Sequence, residues 1–237
     1  MCRNVLQKVV AGMALAVALT IGTQAEALTF TLDQEFSGGT APAGSPPWLT
    51  AVFAQQGANT VRLTMTATNL TGNEFIDEWL FNLNPLKDPT DLTFTHFSGE
   101  TAVITTVADN TNSIPADGGG YYDIQFDFPQ PQSSRFGVGD QSVYDITLAG
   151  LLESDFNFLA APHGGNGVFH TAAHVLGIGT NDESGWIGDS NGNGNGNGNG
   201  EPPPIPEPST FLLFAAGLGS VAFLRKRRLN SIDSTRV

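Results

Sequence analysis

Alternation of apolar and polar residues is the feature that most constrains the fold of this chain. Apolar residues occupy every second position in four stretches, which are Leu28–Asp33, Val61–Thr68, Tyr121–Phe128 and Val143–Leu148. A period of two places alternate side chains on opposite faces of an extended backbone. Each stretch therefore predicts a β-strand with one buried face and one wet face.

Less regular apolar stretches predict further short strands near residues 50–54, 78–83, 92–97, 101–107, 156–160 and 175–178. Gly, Pro and Asn clusters separate them, and only Gly150–Asp155 favours a helical turn. About ten short strands without an internal repeat predict an all-β domain, a two-sheet sandwich of jelly-roll type. We expect this domain to span residues 28–187.

The N-terminus has the three parts of a secretory signal peptide. Arg3 and Lys8 accompany the apolar run Val9–Ile21, and Ala25-Glu26-Ala27 fits the small-x-small cleavage rule. We predict a helical signal peptide at residues 1–27. The single cysteine, Cys2, lies inside it, so the mature chain is expected to contain no disulfide and no cysteine-bound metal.

A low-complexity segment follows the predicted domain. Asn-Gly pairs repeat from Asn191 to Gly200, and Glu201-Pro-Pro-Pro comes next. Repeated Asn-Gly pairs without flanking apolar residues are typical of a flexible coil, and consecutive prolines form a stiffer spacer. Residues 188–204 are therefore predicted to be a linker.

An apolar run bounded by prolines and bases follows the linker. Phe211–Leu224 carries no charge and would span about 21 Å as a helix, which is short against a hydrocarbon core of about 30 Å. The basic cluster after it contains Arg225, Lys226, Arg227 and Arg228. Such side chains can reach the membrane interface and mark a cytoplasmic end. The pattern predicts one transmembrane helix, with residues 229–237 as a cytoplasmic tail.

The residues before this helix are Pro206, Glu207, Pro208, Ser209 and Thr210. Together with the apolar run and the basic cluster, they make residues 205–228 resemble the PEP-CTERM sorting signal. The resemblance implies export by a Gram-negative bacterium and transient anchoring in the inner membrane. It also implies processing by exosortase, a membrane protease, and transfer to the cell surface or an exopolysaccharide matrix. A plain tail anchor is the alternative.

The middle of the chain is also similar to an uncharacterised group of PEP-CTERM proteins. The shared segments are the opening FSGGT…GSPPWLT and the ending GNG–HTAAHVLGIG. This similarity implies no activity.

The charge balance excludes one class of partner. Acids outnumber bases 23 to 10, and only Arg62, Lys87 and Arg135 lie between residues 28 and 210. Such an acidic surface repels phosphate backbones, so we expect no nucleic-acid partner. It is compatible with divalent cations.

Histidines and acids are the candidate metal ligands. His170 and His174 have i, i+4 spacing and His163 lies upstream, but no Glu follows His170, so no zinc site and no cofactor are predicted. Calcium remains an alternative, because loop carboxylates suit it although no D-x-D-x-D-G loop occurs. The acids in question are Asp88, Asp91, Asp117, Asp140, Asp182, Glu183 and Asp189.

Tryptophans are the candidate ligand-binding residues. Trp48 follows two prolines and is expected to be exposed, and Trp186 is the second candidate for stacking on a sugar. Trp79 precedes Leu80 and Phe81 and is expected in the core.

No catalytic residue is assigned. The sequence contains no nucleophile elbow, P-loop or dinucleotide fingerprint. The acid pairs Asp77-Glu78 and Asp123/Asp127 are weak candidates for glycosidase chemistry, which needs two carboxylates at a set separation.

Three functions remain open. The first is an exported, non-enzymatic structural or adhesive protein of the cell envelope or extracellular matrix. The second is a module that binds exopolysaccharide, with or without calcium. The third and least favoured is a secreted hydrolase.

Overall fold

The computed structural model describes residues 27–108 and 112–190. The predicted transmembrane helix and sorting signal at 205–228 lie outside these residues, as do the tail at 229–237, nearly all of the signal peptide and most of the linker. Strands are the main regular structure of the described part, and no α-helix occurs in it. The all-β prediction is therefore confirmed for residues 27–108 and 112–190. Among these residues, no helix is long and apolar enough to cross a membrane.

The strands are, in chain order, β1 Ala27–Glu35, β2 Leu49–Gly57, β3 Thr60–Thr66, β4 Phe75–Phe81, β5 Thr93–Gly99, β6 Val103–Thr106, β7 Ile114–Pro115, β8 Tyr121–Tyr122, β9 Ile124–Asp127, β10 Phe136–Gly137, β11 Gln141–Thr147, β12 Thr171–Ile178 and β13 Glu183–Asp189. Short 3-10 turns occur at Pro89–Asp91 and Glu153–Phe156.

Most strands belong to one large antiparallel sheet. Its order is β5-β11-β3-β2-β1-β13-β12-β4-β9-β6, and β10 pairs with β4. The sheet curls so that its two ends approach each other. Phe126 on β9 contacts Phe94 on β5 and Tyr144 on β11, with ring centroids 5.7 and 5.2 Å apart. The two halves of a single sheet thus face each other like the layers of a sandwich, and the small β7–β8 pair forms a second sheet.

The main core lies between these halves. Phe53 stacks on Phe156 at 4.2 Å and meets Phe81 edge-on at 5.2 Å. Trp79 is fully buried beside them, as predicted, and its indole N–H donates to Thr171 Oγ1 at 2.8 Å. These aromatic contacts join β2, β4 and the segment before β12, which lie apart in the sequence.

A second apolar cluster covers part of the other face of the sheet. Leu80 on β4 and Ala172 on β12 pack there against Tyr122 and Phe169. Phe169 also stacks on Phe36 with ring centroids 4.5 Å apart. The second cluster does not extend over the neighbouring outer surface of β4, β9, β12 and β13, which carries polar side chains.

The structure corrects three strand predictions. The stretch Tyr121–Phe128 is not one strand but β8 and β9, which belong to different sheets and are separated by Asp123. Residues 156–160 form no strand, since Phe156 ends a 3-10 turn. In contrast, Glu183–Asp189 forms β13, a strand that the sequence did not indicate. The predicted domain end at Ile187 falls inside this strand, which continues to Asp189.

Candidate functional site

A β-bulge in β4 places two acids on the outer face of the sheet. His174 pairs with Glu78 and Val175 pairs with Ile76, so Asp77 is an extra residue in β4. Ile76 and Trp79 both point into the main core. A regular strand would turn adjacent residues to opposite faces, whereas the bulge leaves both Asp77 and Glu78 outside the core.

His174 and Trp186 lie beside these acids. The imidazole of His174 stacks on the half-buried indole of Trp186 with centroids 5.0 Å apart. Its Nδ1 lies 2.9 Å from Asp77 Oδ1, which is an ion-pair contact rather than an aligned hydrogen bond. We refer to Asp77, Glu78, Asp127, His174 and Trp186 as the outer-face cluster.

Glu78 is a carboxyl of this cluster with a raised pKa. Burial raises its pKa, and the neighbouring carboxylates Asp77 and Asp127 raise it further. His174 and a hydrogen bond donated by Gln125 act in the opposite direction. The balance favours the protonated form of Glu78 more than in an isolated glutamate, because its negative charge is partly desolvated beside two others.

An open groove continues from this cluster. Gln130 joins the two, because its Nε2 donates to Asp77 Oδ2 at 3.2 Å while its side chain lines the groove. The groove has a volume of about 420 Å³ and is lined by Asn73, Phe75, Gln130, Gln132, Arg135, Leu176, Gly177 and Asp182. Amides therefore make up much of its polar lining. Amides offer both donors and acceptors of hydrogen bonds.

Arg135 is the cation of this groove. Its Cζ lies 4.7 Å from the ring centroid of Phe75. Arg62 is bound to Asp145 at 2.8 Å and Lys87 lies 3.6 Å from Asp155. Within residues 27–108 and 112–190, Arg135 alone among these three bases forms no ion pair with a carboxylate. Its charge is therefore available to an anionic group in the groove.

The three candidate histidines do not converge. His174 belongs to the outer-face cluster, whereas His170 stacks on Phe30 and its Nδ1 lies 2.8 Å from Asp189 Oδ2. Four residues of extended chain separate the two by about 13 Å. His163 stacks on Tyr121 at 4.0 Å. The described residues contain no group of three His, Cys, Asp or Glu side chains able to hold a metal.

A family model for the PEP-CTERM protein-sorting motif matches residues 204–228. The chain carries a PEP-CTERM sorting motif. This match confirms the resemblance seen at residues 205–228, although the matched residues lie outside the described part of the structure. Neither the search of curated proteins nor the search of solved structures found a match.

The PEP-CTERM motif implies export with exosortase-dependent sorting and processing at the membrane. An exosortase is the partner that it implies. The motif lies outside the β domain and assigns no role to its residues.

Trp48 is not the exposed residue that the sequence suggested. Its side chain is 7% exposed and belongs to the main core. The indole N–H donates to the carbonyl oxygen of Gly44 at 2.7 Å. The preceding prolines bring the chain onto the core rather than away from it, so Trp48 presents no free ring face to a ligand.

The candidate calcium-binding acids have separate roles. Asp88 Oδ1 accepts from Thr90 N at 2.9 Å, and Asp140 Oδ2 accepts from Gly137 N at 2.9 Å. Glu183 accepts from Thr40 Oγ1 at 2.8 Å. Asp91 and Asp117 are exposed, and Asp182 lines the groove.

Asp189 is fully buried and accepts from the backbone N–H groups of His170 and Thr171. The side chains of Asp88, Asp140, Glu183 and Asp189 therefore stabilise separate turns and strand ends.

Sequence reasoning missed two features of this face. The bulge at Asp77 shifts Glu78 to the outside, and the only signal for it was the adjacent Asp-Glu pair inside an otherwise apolar strand. The groove residues come from separated segments, from Asn73 to Asp182. No local pattern of the sequence indicates that they meet.

Proposed function

We propose that this protein is an exported, non-catalytic β domain with a structural or adhesive role at the cell surface or in an extracellular matrix. The observation that carries the proposal is the PEP-CTERM sorting motif, which follows an acidic β domain and a predicted linker. An exosortase-type membrane protease is the proposed processing partner. The inner membrane is the proposed transient anchor.

The composition of the C-terminal segments supports this route. Pro206 and Pro208 disfavour helix, so we expect the segment before the predicted membrane helix to be extended and accessible to a protease. The composition of the Asn-Gly repeat is the one expected of a spacer between the β domain and the membrane. The apolar run is short, and its basic cluster sets the orientation.

The test replaces Pro206-Glu207-Pro208 with three alanines in the native bacterium. Neither the apolar run nor the basic cluster changes, so we expect normal membrane insertion. Processing should stop, because the motif is altered, and full-length protein should accumulate in the inner membrane. Fractionation with an antibody to the β domain measures both forms.

A matched variant neutralises Arg225, Lys226, Arg227 and Arg228. It should disturb orientation and retention, since these charges hold one end in the cytoplasm. Normal processing of the triple-alanine form, or a wild-type protein that stays full-length in the inner membrane, would instead indicate a plain tail anchor.

A second function, binding of exopolysaccharide, is favoured by the groove. Its amides, the Asp182 carboxylate and the Arg135 guanidinium are planar hydrogen-bonding groups beside the apolar Phe75 and Leu176. The hydroxyl groups of a sugar can bond to these polar groups, and its C–H faces can pack on Phe75 and Leu176. Since Arg135 has no carboxylate partner in the described structure, an acidic polysaccharide is the preferred ligand.

Arg135→Ala in the full chain tests this second function. Retention on an immobilised acidic polysaccharide should fall about tenfold if one charge-assisted contact is lost. Arg62→Ala is the control, because it removes the same charge at the Asp145 ion pair, away from the groove lining. Equal losses in both variants would show attraction by general charge and no specific groove binding.

A further inference from the structure

The end of the β domain from which the linker leaves is set by strand pairing. Phe81, the last residue of β4, pairs with Thr171, the first residue of β12. On the other side of β12, Thr171 N donates to Oδ1 of Asp189, the last residue of β13. One strand thus separates Phe81 from Asp189, which places their backbones about 10 Å apart. Ser190 leaves the sheet beside the loop that follows β4, and we call this end of the domain the linker pole.

Polar contacts hold three connections of the linker pole together, which are the loop after β4, the loop after β11 and the β2–β3 turn. Asp155 Oδ2 accepts from Leu152 N at 2.9 Å and lies 3.6 Å from Lys87 Nζ. Lys87 Nζ also donates to the carbonyl oxygen of Gly150 at 3.0 Å. Gly150 N in turn donates to Asn59 Oδ1 at 2.7 Å. The loops after β4 and β11 therefore lie side by side.

Each of these two loops exposes a leucine. Leu86 is 91% exposed and Leu152 is 51% exposed. Leu86 lies in a tight turn, because Lys87 N donates to Asn84 O at 2.9 Å. A single exposed leucine needs no explanation, but here two lie on adjoining loops at the pole from which the linker leaves. This apolar patch is suited to a partner that accepts leucine side chains without a shaped pocket.

The course of the chain identifies that partner. Twenty residues separate Ser190 from Phe211, where the predicted membrane helix begins. A tether of this length and composition gives the linker pole a high effective concentration at the bilayer in which the helix is anchored. Leucine side chains gain free energy when they leave water for the membrane interface. A lipid surface is thus the nearest apolar partner for the patch.

The charges of the pole restrict the kind of lipid. Its loops carry Asp88, Asp91 and Glu153, while the ammonium group of Lys87 lies beside the carboxylate of Asp155. An excess of negative charge repels anionic headgroups, as the same surface potential attracts basic segments. Zwitterionic headgroups carry no net charge and are therefore favoured.

We propose that the linker pole of the anchored chain contacts a zwitterionic lipid surface through Leu86 and Leu152. The contact rests on the proposed membrane anchor and adds a second, weaker attachment to it. Two leucine side chains give a reversible contact, which depends on the tether to keep the domain near the bilayer. Cleavage at the sorting motif would remove the tether and thereby free the β domain from the membrane.

A fluorescent label on the β2–β3 turn tests the contact. The full chain carries Cys2→Ser and Ala58→Cys, and it is labelled with nitrobenzoxadiazole and reconstituted into phosphatidylcholine vesicles that contain nitroxide-labelled lipid. Ala58 is exposed at the linker pole, and its replacement leaves both leucines in place. We expect the nitroxide to quench this label. A label at Val138→Cys should escape quenching, because Val138 is exposed in the turn before β11, at the opposite end of the strands.

Leu86→Gln in the chain labelled at Ala58 removes half of the patch. It should lower the ratio of membrane-contacting to free domains about tenfold, since one leucine no longer enters the interface. Folding should be unaffected, because the side chain is 91% exposed. Val103→Gln is the matched control and should leave the quenching unchanged. Val103 is 70% exposed and begins β6, the strand whose other end lies beside the end of β4.

Lipid composition and flotation complete the test. Phosphatidylglycerol in the vesicles should weaken the quenching at low salt. Equal quenching of the two labels, quenching that survives Leu86→Gln, or stronger quenching on phosphatidylglycerol would overturn the proposal. A chain that floats with the vesicles without quenching at Ala58 keeps its anchor and overturns only the contact at the pole. A chain that does not float would contradict the proposed anchor and the contact with it.

Discussion

At the residue scale, Glu78 beside the bulge residue Asp77 has a raised pKa. Burial raises the pKa of Glu78, and the carboxylates of Asp77 and Asp127 raise it further. An acid with a raised folded pKa contributes stability below its unfolded pKa of about 4.3, and that contribution is lost as pH rises through the folded value. Glu78→Gln, which resembles the protonated form, should match the wild type near pH 4 and have a higher free energy of unfolding near pH 7.

Urea denaturation at the two pH values measures this difference. Asp91→Asn is the control, because Asp91 is exposed and its replacement also removes one negative charge. Equal gains in the two variants would mean that relief of the overall charge, rather than the surroundings of Glu78, is responsible. A loss of stability in Glu78→Gln at pH 7 would contradict the prediction outright.

At the scale of elements, the end of β12 depends on a glycine. Gly177 has a φ of 71°, and a Cβ there would lie 2.6 Å from the carbonyl oxygen of Asn73. Gly179 has a similar φ of 68°, with nothing within 4 Å of its Cβ position. Gly177→Ala should cost about 2–4 kcal/mol and Gly179→Ala about 1 kcal/mol, because only the first adds a steric clash to the backbone strain.

Chemical denaturation of the two variants separates these effects. The two variants share the strain of a positive φ. The difference between their losses in free energy of unfolding therefore reports the close approach of β12 to Asn73. Equal losses would indicate that the backbone at Gly177 moves away from Asn73 without cost. Asn73 and Gly177 both line the groove, so Gly177→Ala should also narrow the groove.

At the scale of the whole molecule, like charges oppose compaction. The formal net charge is −13, and Arg62, Lys87 and Arg135 are the only Lys or Arg in the described residues. Raising NaCl from about 0.01 M to about 0.1 M shortens the Debye length from about 30 Å to about 10 Å, so repulsion among surface acids weakens. We expect the Tm to rise over this range. A fall would mean that the few ion pairs, which salt also weakens, outweigh the repulsion.

Local pattern was sufficient for part of this molecule. The alternating stretches at residues 28–33, 61–68 and 143–148 coincide with β1, β3 and β11, because the period of two is a property of each strand alone. The sorting motif was equally readable, since its three parts adjoin each other in the sequence. Neither reading requires knowledge of which segments meet in space.

Contacts between distant segments decided the rest. β13 was missed because Gly185 and Gly188 look like turn residues. In the structure they are strand residues that admit the Thr40 carbonyl oxygen and the Phe169 ring to the sheet. Trp48 is buried because the turn before it packs on the main core. Glu78 faces outward because β12 pairs with Glu78 and Ile76 and leaves Asp77 as an extra residue between them. The sequence alone determined the class of fold and the route of export. The course of the curled sheet and the lining of the groove depend on strand pairing, which tertiary structure sets.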